Sequence, residues 1–114
     1  MMKTFFVSRH NGAQEWARHK GIAIDRWETH LDLQAVEHGD TVIGILPTTL
    51  AAEVCARGAV FLALAVSLPP ALRGVELSAA QLFSLGAALK QYHIIEVARN
   101  NGESVATDIV KNID

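Results

Sequence analysis

The sequence predicts a small three-layer α/β domain built on a mostly parallel sheet of five or six strands. Three observations carry that expectation. Phe5-Phe6-Val7, Thr41 to Leu46 and Val60 to Val66 are apolar runs with the composition of strands buried on both faces. Stretches with apolar residues at helical spacing separate these runs. Each run also stops abruptly, at the polar cluster Ser8-Arg9-His10-Asn11, at Pro47, or just before Pro69-Pro70.

Taken in order, the first strand leads through Gly12 into a helix over Ala13 to Lys20. Ala13, Trp16, Ala17 and Lys20 share one face of that helix, and Gly21 stops it. Trp16 is read as a core anchor, not as a platform for a base. Ile22 to Leu31 alternates imperfectly through Ile22, Ile24 and Trp27, as a strand with one wetter face does. A single helical turn is expected over Leu33 to His38, then a turn at Gly39-Asp40. Thr41 to Leu46 is the clearest buried strand, closed by Pro47 because proline cannot continue a ladder. Thr48 and Thr49 suit the N-cap of a helix over Leu50 to Arg57, with Leu50, Ala51, Val54 and Cys55 as its apolar face. Glu53 and Arg57 are placed for a surface ion pair.

Gly58 ends that helix and Val60 to Val66 follows as a strand, although its alanines suit a helix as well. A loop from Leu68 to Gly74 carries Arg73. Ser78 with Gln81 forms a capping box for a helix whose core stripe is Leu82, Leu85, Gly86 and Leu89. Tyr92 to Val97 reads as a fifth strand, Asn100-Asn101-Gly102 as a turn, and Ser104 to Val110 as an edge strand. Strands separated by helices of this length give a small Rossmann-like fold. Neither the dinucleotide-binding glycine fingerprint nor a phosphate-loop GK[ST] occurs.

Composition narrows the function. At 114 residues, half of them apolar and 19% charged, the chain has the make-up of one globular domain. A net charge of -2 argues against broad binding of duplex nucleic acid, yet leaves room for a small anion met by a few local cations. The one cysteine, Cys55, permits no internal disulfide and fits a reducing compartment. No stretch has the length of a signal sequence core or a membrane span, so a cytoplasmic protein without membrane contact is expected.

In an open α/β sheet, ligands bind beyond the carboxyl ends of the strands. There Ser8, Arg9, His10 and Asn11 bring a hydroxyl, a fixed cation, an imidazole and an amide to one turn. The same residues would serve as a plain solvated turn. Thr48, Thr49 and the helix start behind them suit a phosphate, with Arg9 and Arg73 adding charge-assisted hydrogen bonds. His30-Leu31-Asp32 and His38-Gly39-Asp40 are two H-x-D pairs, but neither spacing is diagnostic of a metal site. No metal or other cofactor is assigned.

Several blocks in fixed order then reach a resemblance. They are Ser8-Arg9-His10-Asn11-Gly12-Ala13-x-x-Trp16-Ala17, Thr29-His30-Leu31-Asp32 and Gly39-Asp40-x-Val42-Ile43-Gly44-x-Leu46-Pro47. Leu50-Ala51-Ala52-Glu53-Val54-Cys55-x-Arg57-Gly58-Ala59 follows, and then Leu68-Pro69 through Arg73-Gly74-x-Glu76-Leu77-Ser78-Ala79. The chain resembles, from Phe6 to Tyr92, the CRISPR-associated Csx accessory family numbered sixteen, found with type III systems. The resemblance implies a domain related to the cyclic-oligoadenylate-sensing (CARF) domains. It also implies a ring nuclease that linearises cyclic tetra-adenylate and switches off antiviral signalling.

Within the matching blocks, physical reasoning selects Ser8, Arg9 and His10 as catalytic. It selects Asn11, His30, Asp32, Thr48, Thr49 and Arg73 as ligand-binding. The expected reaction is a metal-independent attack by a ribose 2′-hydroxyl, in a homodimer whose two-fold axis passes through the ligand. A non-catalytic binder of the same ligand and a small α/β interaction module remain as alternative readings.

Overall fold

In the computed structural model, which describes residues 2–98, the neighbours Phe5 and Phe6 anchor two separate cores. They are consecutive positions of β1 (Thr4–Val7), where side chains alternate between the faces of a strand. Phe5 packs with Val42, Phe61 and the buried face of α2 (Thr48–Ala56), namely Ala51, Val54 and Cys55. Phe6 packs with Ile43, Leu64 and two helices, α1 (Asn11–His19) through Ala13, Trp16 and Ala17, and α3 (Ala79–Ser84) through Ala79 and Leu82. Helices therefore cover both faces of the sheet. Burial of a large apolar side chain such as Phe5 or Phe6 stabilises the fold by roughly 1.5–3 kcal/mol.

The sheet has five strands in the order β2-β1-β3-β4-β5. β2 (Arg26–Glu28), β3 (Thr41–Gly44) and β4 (Val60–Ala65) join β1 in a parallel ladder, and β5 (Ala88–Tyr92) runs antiparallel beside β4. The mostly parallel Rossmann-like α/β architecture is as expected. The chain moves to one side of β1 for β2 and to the other side for β3, so the sheet has a switch point between β1 and β3. No helix among the described residues is long and apolar enough to cross a membrane.

Asp40 fastens the starts of three strands. It is fully buried, and its carboxylate accepts the Lys3 N–H at 2.8 Å and the Glu37 N–H at 2.9 Å. Its own carbonyl accepts from Val60 N–H at 2.8 Å, while Thr41 N–H donates to the Lys3 carbonyl at 2.8 Å. Burial alone would raise the Asp40 pKa. The Lys3 and Glu37 N–H groups and the Lys3 ammonium outweigh that and hold it below its ordinary value.

Several expected boundaries differ. α1 starts at Asn11, two residues early, and Lys20 leaves the buried face to hold its ammonium 5.8 Å from the Trp16 ring. Of Ile22 to Leu31 only Arg26–Glu28 is strand; before it, Asp25 turns its carboxylate to the Thr4 N–H at 2.8 Å. The turn over Leu33–Ala35 is a 3-10 turn. β3 ends at Gly44, leaving Ile45 exposed. α2 starts at Thr48 with Pro47 at its N-cap, so neither Thr48 nor Thr49 is the cap and no side chain caps this helix. No Glu53–Arg57 pair forms among the described residues; the Arg57 guanidinium donates to the Val36 carbonyl at 3.4 Å.

The largest correction concerns the fifth strand. The Ser78–Gln81 capping box is present, but α3 stops at Ser84 because the chain reverses at Gly86, whose φ of 72° favours glycine. Leu89 thus belongs to β5, opposite Leu64, and not to a helix. β5 is over where the expected strand at Tyr92 to Val97 begins. After Tyr92 the chain departs from β4, and the Ile94 N–H points to the Cys55 sulfur at 3.4 Å. The turn at Asn100-Asn101-Gly102 and the strand over Ser104 to Val110 lie outside the described residues.

Loss of the Asp40 carboxylate strands two backbone donors. Asp40→Ala is expected to cost about 2–6 kcal/mol, at ~1–3 kcal/mol per orphaned group, read by urea denaturation. Because the folded pKa of Asp40 lies below its ordinary 3.8, its contribution is complete above that value and fades as pH falls through the folded value. Stability of Asp40→Asn should therefore fall less steeply with acid than that of the unaltered chain.

Candidate functional site

A cleft of about 350 Å³ opens at the carboxyl edge of the sheet, at the β1/β3 switch point. Strand order creates it. Where neighbouring crossovers leave in opposite directions, no helix fills the space above the strand ends. Val7 and Ser8 contribute the end of β1, Gly44 and Ile45 the end of β3, and Leu64 and Val66 the end of β4. Phe6, Ala13, Leu77 and Leu82 make an apolar floor, while Ser8, Arg9, His10, Thr29 and Glu76 supply polar groups.

The turn after β1 is held by its own atoms. Ser8 N–H donates to the Glu28 carbonyl at 2.9 Å, continuing the ladder by one bond. The Ser8 hydroxyl oxygen accepts the His10 N–H at 3.0 Å, and the Gln14 amide donates to the Ser8 carbonyl at 3.2 Å. His10 then occupies the N-cap of α1 in extended conformation, with no side-chain cap. The first turn of α1 holds no acidic residue, and its leading N–H groups have no intrahelical acceptors. The cleft thus has a helix start at its edge, a feature that suits an anion. The helix is α1, however, and not the α2 start that the two threonines suggested.

Opposite this turn, His10 Nδ1 lies 3.0 Å from Glu76 Oε1. The two side chains are 58% and 65% exposed. An exposed pair of this kind contributes on the order of 0–1 kcal/mol at most. Arg9 makes no ion pair among the described residues. The Glu76 segment is set down by two other contacts. A Cβ on Gly12 would collide with the Leu77 carbonyl oxygen, so only glycine lets α1 and this segment approach. Next to it, Ser78 N–H donates to the Gln81 side chain at 2.9 Å, and Gln81 N–H donates back to the Ser78 hydroxyl at 3.1 Å.

The other selected residues are dispersed. Asn11 is the exposed first residue of α1 and lies outside the cleft lining. His30 is exposed and also outside it, and Asp32 caps the 3-10 turn by accepting Gln34 N–H at 3.1 Å. Thr48 and Thr49 are exposed at the start of α2, and Arg73 is exposed after the turn Pro70–Leu72. None of these lines the cleft. The H-x-D pairs do not converge; Asp40 is consumed by backbone donors, and no group of three His, Cys, Asp or Glu suited to a metal occurs among the described residues. Glu76 was not selected from sequence, since 66 residues separate it from His10 and no motif marks it.

Residues 5–95 match the model of the family described as "Putative CRISPR-associated protein (Cas_VVA1548)". No curated protein and no solved structure matches the chain.

Gly12→Ala tests how the cleft is assembled. The added methyl must displace the backbone at Leu77, and overpacking of this kind costs roughly 1–3 kcal/mol. The variant should be less stable by that amount in urea denaturation, and in its spectra the amide signals of residues 75–78 should shift more than those of α2.

Proposed function

The chain belongs to the Cas_VVA1548 family of CRISPR-associated proteins, and on that premise we propose that it is a ring nuclease that linearises cyclic tetra-adenylate. The observation that carries the proposal is the cleft at the β1/β3 switch point, in which Ser8, Arg9 and His10 stand over an apolar floor. A nucleotide needs both parts: an apolar surface for the base, and cationic and N–H donors for the phosphate. The resemblance to the Csx family numbered sixteen, with its CARF-related domain and its place in type III systems, supplies the ligand class.

RNA carries its own nucleophile. The ribose 2′-oxygen attacks the adjacent phosphorus in line, the bond from phosphorus to the 5′-oxygen breaks, and a 2′,3′-cyclic phosphate and a 5′-hydroxyl result. The protein has to hold the ribose, stabilise the growing charge on the phosphate oxygens and move protons. Arg9 supplies a permanent cation with several donors. His10 supplies an imidazole, which can accept a proton at one ring nitrogen while donating from the other. The Ser8 hydroxyl already accepts the His10 N–H, which keeps the turn in shape and leaves its own proton for the ligand.

At about 350 Å³ the cleft stands at the low end of ligand pockets and takes one part of a ring, not four nucleotides at once. A homodimer with its two-fold axis through the ligand would present the Ser8-Arg9-His10 turn twice. Cytoplasmic action without a membrane or duplex nucleic acid follows from the same reading.

Incubation with labelled cyclic oligoadenylates of different sizes should yield linear products from the tetra-adenylate, with cleavage retained in EDTA. Binding without products would leave a sequestering module, and no binding would leave an interaction domain. Arg9→Ala and His10→Ala should each lose at least ~10²-fold in single-turnover cleavage, with affinity falling more for Arg9→Ala. Light scattering should return the mass of a dimer; a monomer with and without ligand would remove the two-fold arrangement.

A further inference from the structure

We infer that Glu76 is a positioning residue that fixes the proton on His10 Nδ1 and so leaves Nε2 bare toward the cleft. The inference rests on the function proposed above and names the residue that prepares its base. A carboxylate has no hydrogen to give. A contact of 3.0 Å between Glu76 Oε1 and His10 Nδ1 therefore places the hydrogen on Nδ1. In a neutral imidazole the other nitrogen then carries the lone pair. Both residues line the cleft, so the ring and its second nitrogen belong to the site.

Two features separate this role from that of an ordinary surface ion pair. First, the segment carrying Glu76 is located by the Gly12–Leu77 approach and the Ser78–Gln81 capping box, neither of which involves the Glu76 side chain. The pair is not needed to hold the loop. Second, a carboxylate at the rim of a site that takes a phosphate opposes the ligand's charge. Its presence there is explained if it acts on the imidazole. In the reaction, Nε2 takes the proton of the 2′-hydroxyl as the oxygen–phosphorus bond forms, the 5′-oxygen leaves with a proton from water, and the hydroxide left behind takes the proton from Nε2, which restores the neutral ring. Glu76 meanwhile stabilises the imidazolium.

The test begins with the ligand-free protein. Nitrogen-15 histidine spectra in alkaline buffer, where imidazoles are neutral, report which nitrogen of each ring bears hydrogen. The five histidines are distinguished by comparison with His10→Gln. His10 should carry hydrogen on Nδ1 in the unaltered chain and keep it in Glu76→Gln, whose amide oxygen still accepts. In Glu76→Ala the hydrogen should move toward Nε2. Hydrogen on Nε2 in the unaltered chain, or no difference in Glu76→Ala, overturns the inference.

Cyclic tetra-adenylate supplies the second arm. Glu76→Ala should lose at least ~10-fold in single-turnover cleavage at saturation, short of the ~10²–10⁴-fold that loss of a general base itself costs. Its binding should be unchanged or tighter, and Glu76→Gln should recover part of the rate. Weaker binding with an unchanged saturating rate would also overturn the inference. An unaltered chain that cuts no ring defeats the proposed function instead, and the histidine spectra still decide where the proton lies.

Discussion

The geometry of this protein depends on one buried carboxylate. Asp40 gathers the N–H groups of Lys3 and Glu37, and its peptide carbonyl takes that of Val60, so that β1, β3 and β4 start from one fixed point. A parallel ladder has no tight turn to set its register, and a slip by one residue would turn every side chain to the other face. With Thr4 opposite Thr41 and Thr41 opposite Val60, Val7 arrives beside Gly44 at the far end. The cleft lies there. The clasp and the site occupy opposite edges of the sheet, joined by three short strands of four to six residues.

What could be read from the sequence follows the strength of the local signal. β1, β3 and β4 are continuous apolar runs with clear stops, and a capping box needs only the spacing of Ser78 and Gln81. The stretch from Leu82 to Val97 carries no such asymmetry. Leucine and alanine serve helix and strand alike, and Gly86 gave no warning that it would reverse the chain. Thr48 and Thr49 have the chemistry of N-caps, yet Pro47, with φ already near the helical range, took that position.

The site was half legible for a related reason. Ser8, Arg9 and His10 follow directly on a strand, so local order exposes them. Glu76 reaches them only because strand order 2-1-3-4-5 and a glycine at position 12 bring two distant segments together. His30, Asp32 and Arg73 shared the expected edge of the sheet, but that edge is several strands wide and the switch point occupies only one part of it. Strand order is not written in periodicity. It decided which polar turn faces the cleft.

The floor of the cleft has a second occupation. Phe6, Ala13, Leu64 and Leu82 line it from below and are also members of the core between the sheet, α1 and α3. Mutational drift cannot therefore reshape the bottom of the pocket without disturbing the packing that keeps the chain folded. The walls are under less restraint: Ile45 and Val75 line the same cleft and are largely exposed. Substitution at such rim positions can change the mouth of the cleft at little cost to the packing, while its base is tied to the fold.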